Sequence, residues 1–241
     1  MANFYSPPET RRGDTILVCG DEAHHICRVL RKRPGERIVV VDGEGNEFKC
    51  AIRACRPESV EVKVLSMRRK PKEPVLKVTL ACAVPRGERM DSLVEKVTEL
   101  GVCRIIPLIS ERSTVRSVGK EKFARWKRIA VSAVKQSERS VVPRIEEMES
   151  LAELVEDLRS YSWGVVGWEL SKRRLVGSIF PREPISDVIT IIGPEGGFSE
   201  HEIEGLRKRG VADVWLGERK LRSETACVAL VSLILNNYGD L

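Results

Sequence analysis

From Asp187 to Ile192 the chain carries a short apolar run, and the glycine loop and helix start beyond it constrain the fold more than any other part of the sequence. A run of that length bounded by turn residues reads as a buried strand. It halts at Gly193-Pro194, passes Glu195 and reaches Gly196-Gly197. Those glycines allow positive φ and a close backbone approach by a ligand. A helix then opens with full punctuation. Ser199 and Glu202 have capping-box spacing, and Phe198 with Ile203 fits a hydrophobic staple. A rigid strand, a bare loop and an anchored helix form the unit of an α/β sheet, in which ligands bind at the carboxyl ends of the strands. Taken alone, the same residues are also what a plain tight turn looks like.

The loop is neither Gly-x-Gly-x-x-Gly nor a P-loop, and no lysine follows to hold a phosphate. A dinucleotide or nucleoside-triphosphate site is therefore not expected. Two further loops of similar character follow strand-like runs in the same half. One holds Gly167, Trp168 and Glu169. The other runs from Leu216-Gly217 through Leu221, Arg222, Ser223 and Glu224 to Thr225. This last loop opens a helix, Ser223 to Asn237, that is apolar almost all round, the mark of an element buried on most sides or at a subunit interface. Ser223 is expected as its N-cap, with Glu224 in its first turn. Arg222 opposes the helix dipole and is expected to need an anionic partner.

Strand and helix patterns alternate beyond residue 74. Val75 to Ala83, Cys103 to Ile109, Trp163 to Trp168 and Ala212 to Leu216 read as strands. Glu88 to Leu100, Lys120 to about Ser137 and Leu151 to Arg159 read as helices. That order predicts a mainly parallel sheet covered on both faces. Before residue 70 the pattern is different. Thr15 to Cys19, Glu36 to Val41, Glu47 to Ala54 and Ser59 to Leu65 are β-like, with a hairpin turn at Asp42 to Asn46 and one helical insert, Asp21 to Leu30. Several short strands with one helix suggest a small barrel. Met67 to Pro74, charged and proline-bearing, reads as a linker. Two domains are expected, residues 1–70 and 74–241.

The formal net charge of +6 suits a polyanionic partner such as RNA. Up to Pro74 there are 15 Lys and Arg against 11 Asp and Glu, so the smaller N-terminal part is the more basic per residue. Seven cysteines without a Cys-x-x-Cys argue against a disulfide framework and against a zinc site, and no metal is expected. The N-terminus lacks a signal-peptide pattern, and no run approaches the ~20 apolar residues needed to cross a bilayer. A soluble cytoplasmic protein is expected.

Six short motifs occur in order. They are His25-x-x-Arg28-Val29-Leu30-Arg31, Arg86-Gly87-Glu88-Arg89-Met90, Thr98-Glu99-Leu100-Gly101-Val102, Gln136-Ser137-x-Arg139, Gly193-Pro194-Glu195-Gly196-Gly197 and Leu221-Arg222-x-Glu224-Thr225-Ala226. Together they resemble the RsmE-type small-subunit (16S) ribosomal RNA uridine-N3 methyltransferases of the SPOUT superfamily, across essentially the whole chain. The resemblance implies a PUA-like RNA-binding barrel before a SPOUT domain whose C-terminal segment is threaded into a trefoil knot. It implies S-adenosylmethionine as cofactor, held largely by backbone groups of Gly167, Gly193, Pro194, Glu195, Gly196, Gly197, Leu216, Gly217, Leu221, Arg222 and Thr225. A homodimer is implied, with 16S rRNA or the small ribosomal subunit as partner. His25, Arg28, Arg31, Arg112 and Arg139 are the expected RNA contacts. Arg222 and Glu224 are the expected catalytic groups, the first stabilising negative charge on the uracil and the second acting as base or orienting group. The chain departs from the family at Glu138, where relatives tend to carry glycine; a helix tolerates glutamate well. The competing readings are a SPOUT methyltransferase acting on tRNA or a ribose 2′-hydroxyl, and a non-catalytic RNA-binding ribosome-assembly protein. A metal-dependent nuclease is a distant third, because the carboxylates are dispersed.

Overall fold

The computed structural model describes residues 3–56, 58–70, 72–171, 175–181 and 183–241. Pro71, inside the expected linker, lies outside them. The chain forms two compact units. One comprises residues 1–73 together with 131–142, and the other comprises residues 74–130 and 143–241.

The first unit is a curled sheet of six strands: β1 (Asn3–Tyr5), β2 (Arg11–Arg12), β3 (Thr15–Cys19), β4 (Arg37–Val41), β5 (Asn46–Arg56) and β6 (Ser59–Arg69), in the order β1-β4-β5-β6-β3-β2. All neighbours are antiparallel except β1 and β4. Alternation puts Ile16 and Val18 of β3 inside and leaves Leu17 and Cys19 outside. The long β5–β6 pair shifts register between Lys49 and Cys50 and again between Ile52 and Ala54, and such bulges bend a strand. The sheet curls until the Ser6 hydroxyl, just past β1, donates to the Leu17 carbonyl on β3 at 3.3 Å. Phe4, Ile26, Val40, Phe48, Ile52 and Val62 fill the interior. In the β4–β5 turn, Asp42 accepts from the backbone N–H groups of Glu44 and Asn46 at 2.9 and 3.0 Å. The expected helical insert is α1 (Gly20–His24) running directly into a π-helical turn, His25–Val29.

Residues 131–142 return to this unit although they follow residues 74–130 of the other. They comprise the end of a long helix and the segment after it. Lys135 pairs with Glu22. Ser140 and Val141 donate their backbone N–H groups to Glu73 at 2.7 and 2.9 Å. Arg139 reaches the same carboxylate with Nε at 3.1 Å and Nη2 at 2.7 Å. Arg139 is only 2% exposed. The expectation that it contacts RNA is therefore corrected: its guanidinium is committed to a buried ion pair.

Glu138 also departs from expectation. It does not lie in a helix interior but just past the helix end, at φ 58°. The Arg139 N–H bonds back to the Val134 carbonyl at 3.0 Å, the longer bond of a Schellman termination, which favours glycine at this position. A non-glycine residue there is strained, and its exposed pair with Lys72 returns little. Glu138→Gly is expected to raise stability by about 0.5–1 kcal/mol, a Tm rise of roughly 2–3 °C. Thermal unfolding of the two chains checks this, and an unchanged or lower Tm contradicts it.

The second unit is an α/β layer structure. Its parallel strands are β7 (Lys77–Ala83), β8 (Arg104–Ile109), β9 (Arg144–Ile145), β10 (Glu149–Ser150), β11 (Gly164–Gly167), β12 (Asp187–Ile192) and β13 (Ala212–Val214). Their order is β10-β8-β7-β12-β11-β13, with β9 also on β8. The helices are α2 (Arg89–Glu99), α3 (Lys120–Gln136), α4 (Leu151–Asp157), α5 (Glu200–Lys208) and α6 (Ser223–Asn237). β7 and β12 are buried almost throughout, as strands covered on both faces must be. On one face Ala81, Ile106, Val166 and Ile191 pack with Leu154 of α4 and Ile203 and Leu206 of α5. On β7 and β12 lies α6, which also packs along α2. The chain thus runs out to edge strand β13, then returns over the middle of the sheet as α6. This excursion and return is the path that a threaded C-terminal segment requires. All seven cysteines are unbridged.

Candidate active site

The strand registers set Cys82, Ile192, Gly167 and Val214 in one row at the carboxyl ends of β7, β12, β11 and β13. The loops leaving that row meet one another. A side chain on Gly167 would put its Cβ 2.6 Å from Ile192 Cδ1 and 3.5 Å from Leu216, so the loop after β13 lies directly on the end of β11. Gly197 has φ +69°, and a Cβ there would stand 2.4 Å from the Glu169 carboxylate, so the loops after β11 and β12 also touch. Gly193 faces the buried Phe198 ring, which leaves only 3.0 Å for a Cβ. The three predicted loops therefore converge. Gly217, at φ +108°, has nothing within 4 Å of its Cβ position. Pro194 is buried, Glu195, Leu221 and Thr225 are exposed, and Gly196 is the exposed apex of its loop.

The anchoring is that expected at α5. Ser199 Oγ accepts from the Glu202 N–H at 3.3 Å, and Glu202 Oε2 accepts from the Ser199 N–H at 2.9 Å. The other Glu202 oxygen accepts from the Glu111 N–H at 2.8 Å, which fixes the loop after β8 as well. From that loop the exposed Arg112 donates to the Gly196 carbonyl at 3.0 Å. One predicted RNA contact thus touches the glycine loop itself.

At the start of α6 the structure corrects the capping assignment. Arg222 is the N-cap, with φ −67° and ψ 153°, and Ser223 is the first helical residue. The Ser223 hydroxyl is buried and has no hydrogen-bond partner among the described residues. Glu224 does lie in the first turn; its Oε2 is also buried without a hydrogen-bond partner among the described residues, and Arg89 Nη1 stands 3.7 Å from it. The Arg222 side chain is exposed and, among the described residues, pairs with no carboxylate. A helix start with free N–H groups beside an unpaired guanidinium is an anion-favouring environment.

Three groups escaped the sequence reading. Arg86 and Arg89, in the turn after β7, both engage Glu195. Asp213 of β13 joins three elements: it accepts from Arg207 of α5 at 2.9 Å and from Ser171, after β11, at 2.5 Å. The Arg207 hydrogen bond, with that of Ser171, holds the Asp213 carboxyl down at about 2 despite its burial. Arg207 also lies 5.1 Å from the centre of the Trp168 ring, whose Nε1 is buried without a hydrogen-bond partner among the described residues. None of these pairings has a periodic or spaced signal. The folded-state value of Asp213 is depressed, so its contribution is present above the ordinary carboxylate range and is lost as pH falls towards 2. Allowing for the half-exposed Arg207, Asp213→Asn is expected to cost about 1 kcal/mol at pH 7 and almost nothing near pH 2. Urea unfolding at the two pH values checks this, and a pH-independent difference contradicts it.

The remaining predicted contacts lie in the first unit. Arg28 and Arg31 are exposed on and just after the π turn, Arg31 at φ 52°. His25 is half-buried, edge-on to Phe4 at 5.9 Å, so part of its role is packing. Among the described residues no group of three or more His, Cys, Asp or Glu side chains is placed to hold a metal ion. No described helix is long and apolar enough to cross a membrane.

Comparison with known proteins places this geometry. Residues 71–235 match the family model of an RNA methyltransferase domain, and residues 18–65 match that of an RNA methyltransferase PUA domain. The ribosomal RNA small subunit methyltransferase E of Aquifex aeolicus is 32% identical over 244 residues, covering 98% of this chain and 100% of that one. Its namesake from Bacillus subtilis is 32% identical over 230 residues, covering 91% and 89%. The crystal structure of the Neisseria gonorrhoeae ribosomal RNA small subunit methyltransferase E, bound to S-adenosyl methionine, matches with a TM-score of 0.87 at 32% identity, covering 98% of each chain.

Proposed function

The chain belongs to the RNA methyltransferase family, and from that premise we propose that it methylates N3 of a uridine in small-subunit (16S) ribosomal RNA, with S-adenosylmethionine as donor. The observation that carries this reading is the meeting of three glycine-bearing loops around the start of α6, where buried polar atoms of Ser223 and Glu224 lack hydrogen-bond partners among the described residues. The cofactor, when bound, supplies a methyl group already activated on a sulfonium sulfur. The residues present fit it. Backbone of Gly167, Gly193 to Gly197, Leu216, Gly217, Leu221 and Thr225 can approach a ligand closely, the carboxylates of Glu169 and Glu195 suit its cationic groups, and the N–H groups opening α6 suit its carboxylate.

With the donor activated, the work left to the protein is alignment and proton removal. The loops hold the reacting atoms in line and exclude water. Glu224 takes the N3 proton or orients N3 for its loss. Negative charge then spreads onto the uracil oxygens, where Arg222 stabilises it. Arg112, tied to Gly196, holds phosphate or base. Extruding the uridine from a stack costs a few kcal/mol, and phosphate contacts from Arg28 and Arg31 offset part of it. Exposed Leu221 and Leu233 at α6 support a homodimer, and a cytoplasmic location follows from a ribosomal substrate.

The test is transfer of radiolabelled methyl to small ribosomal subunits lacking the mark, with the product nucleoside identified by mass spectrometry. N3-methyluridine at a single site is the expected product. Label on a ribose, on tRNA alone, or on nothing overturns the reading.

A further inference from the structure

The turn after β7 takes no part in the chemistry above, yet it touches the loops after β8 and β12 and the start of α6. Gly87, at φ +73°, turns the chain between Arg86 and Arg89. Arg86 Nη2 donates to Thr114 Oγ1, on the loop after β8, at 3.2 Å. The Arg86 N–H points to Glu195 Oε1 at 3.5 Å. Arg89 Nε donates to the Arg86 carbonyl at 3.2 Å, which anchors the guanidinium and turns its two outer nitrogens forward. One, Nη2, stands 3.4 Å from Glu195 Oε1, on the loop after β12. The other, Nη1, stands 3.7 Å from Glu224 Oε2, on α6. A single planar fork thus faces two carboxylates, one on the loop after β12 and one on α6, a geometry that the point charge of a lysine reproduces only in part.

Both separations exceed the ~2.7–2.9 Å of a tight charge-assisted hydrogen bond. Arg89 supplies charge and direction without saturating Glu224, whose Oε2 keeps its hydrogen-bonding capacity. The consequence concerns Arg222. It lies two residues before Glu224 and has no carboxylate partner among the described residues. Side chains two positions apart do not face one another along a helix, so the two would pair only if the carboxylate were free to swing from the cation that holds it.

We propose that Arg89 is a positioning residue that draws Glu224 and Glu195 to itself and so keeps Glu224 from neutralising Arg222. Both groups needed at the uracil stay available, one as an unpaired cation and one as a carboxylate with a free oxygen. The inference rests on the proposed function and assigns a role to a motif outside it.

The experiment compares wild type with Arg89→Met, which keeps the apolar stem, Arg89→Lys, Arg222→Ala and the double variant Arg89→Met/Arg222→Ala. The measurements are kcat and KM on ribosomal subunits, S-adenosylmethionine affinity by calorimetry, and Tm. Arg89→Met is expected to lower kcat by about 10- to 100-fold, as a misplaced catalytic group does, with RNA KM changed less than about threefold. Arg89→Lys is expected to recover part of the loss. The double variant is expected to be no slower than Arg222→Ala alone, because both changes remove the same unpaired cation. Unchanged kcat in Arg89→Met, or losses that multiply in the double variant, overturns the inference while leaving the methyltransferase reading intact. A wild-type chain that binds no S-adenosylmethionine overturns both.

Discussion

Arg222→Ala is expected to lower kcat for methyl transfer by about 10²–10³-fold, the usual cost of losing one preorganised donor to a developing anion. Cofactor affinity should change little, because the loops that meet around Gly167 and Gly197 are held by glycine geometry and by the capping box on α5, none of which involves the Arg222 side chain. Stability should change little as well. Arg222 is exposed, makes no described ion pair, and opposes the dipole of the helix it caps. The effect is therefore confined to the chemical step. Single-turnover kinetics with S-adenosylmethionine calorimetry on the same preparation measures it. A rate within severalfold of wild type at unchanged cofactor affinity removes Arg222 from the mechanism.

Arg139→Ala should behave in the opposite way. Removing one partner of a buried ion pair leaves the other charge uncompensated, at a cost of about 3–5 kcal/mol. Here the remaining partner is Glu73, whose carboxylate keeps, among the described residues, the N–H groups of Ser140 and Val141 and the Ser140 hydroxyl. A Tm lowered by roughly 10 °C is expected, with kcat below the transition unaltered and the salt dependence of RNA affinity unchanged. Arg28→Ala, at an exposed position, should weaken RNA binding and flatten its salt dependence without moving Tm. If Arg139→Ala instead weakens RNA binding at full stability, its buried role is wrong.

Much of this was legible because it is local. The capping box at Ser199 and Glu202 spans four residues and formed as read. The alternation of strands and helices beyond residue 74 led to the parallel sheet, and the glycine-bearing loops fell at the strand ends. The likeness drawn from six motifs, a SPOUT methyltransferase domain behind a PUA-like barrel, holds in fold and in family. Glu138 shows the limit of local reading. Its helix propensity is good, but the position demanded left-handed backbone, which no propensity scale records.

What the amino-acid order determined alone was the succession of elements, their caps, and three bends able to bring main chain against a ligand. Those depend on contacts within a few residues, so they leave a periodic or spaced trace. What only the tertiary structure decided was which charges are spent and which are free. Arg139 meets Glu73 across 66 positions, and Arg89 reaches Glu195 and Glu224 from the far end of the same unit. Arg222, two positions from a glutamate in the chain, pairs with no carboxylate among the described residues. Pairings over such separations are fixed by how the sheet stacks its strands, and a guanidinium buried in a salt bridge has the same one-letter signature as one pointing into water.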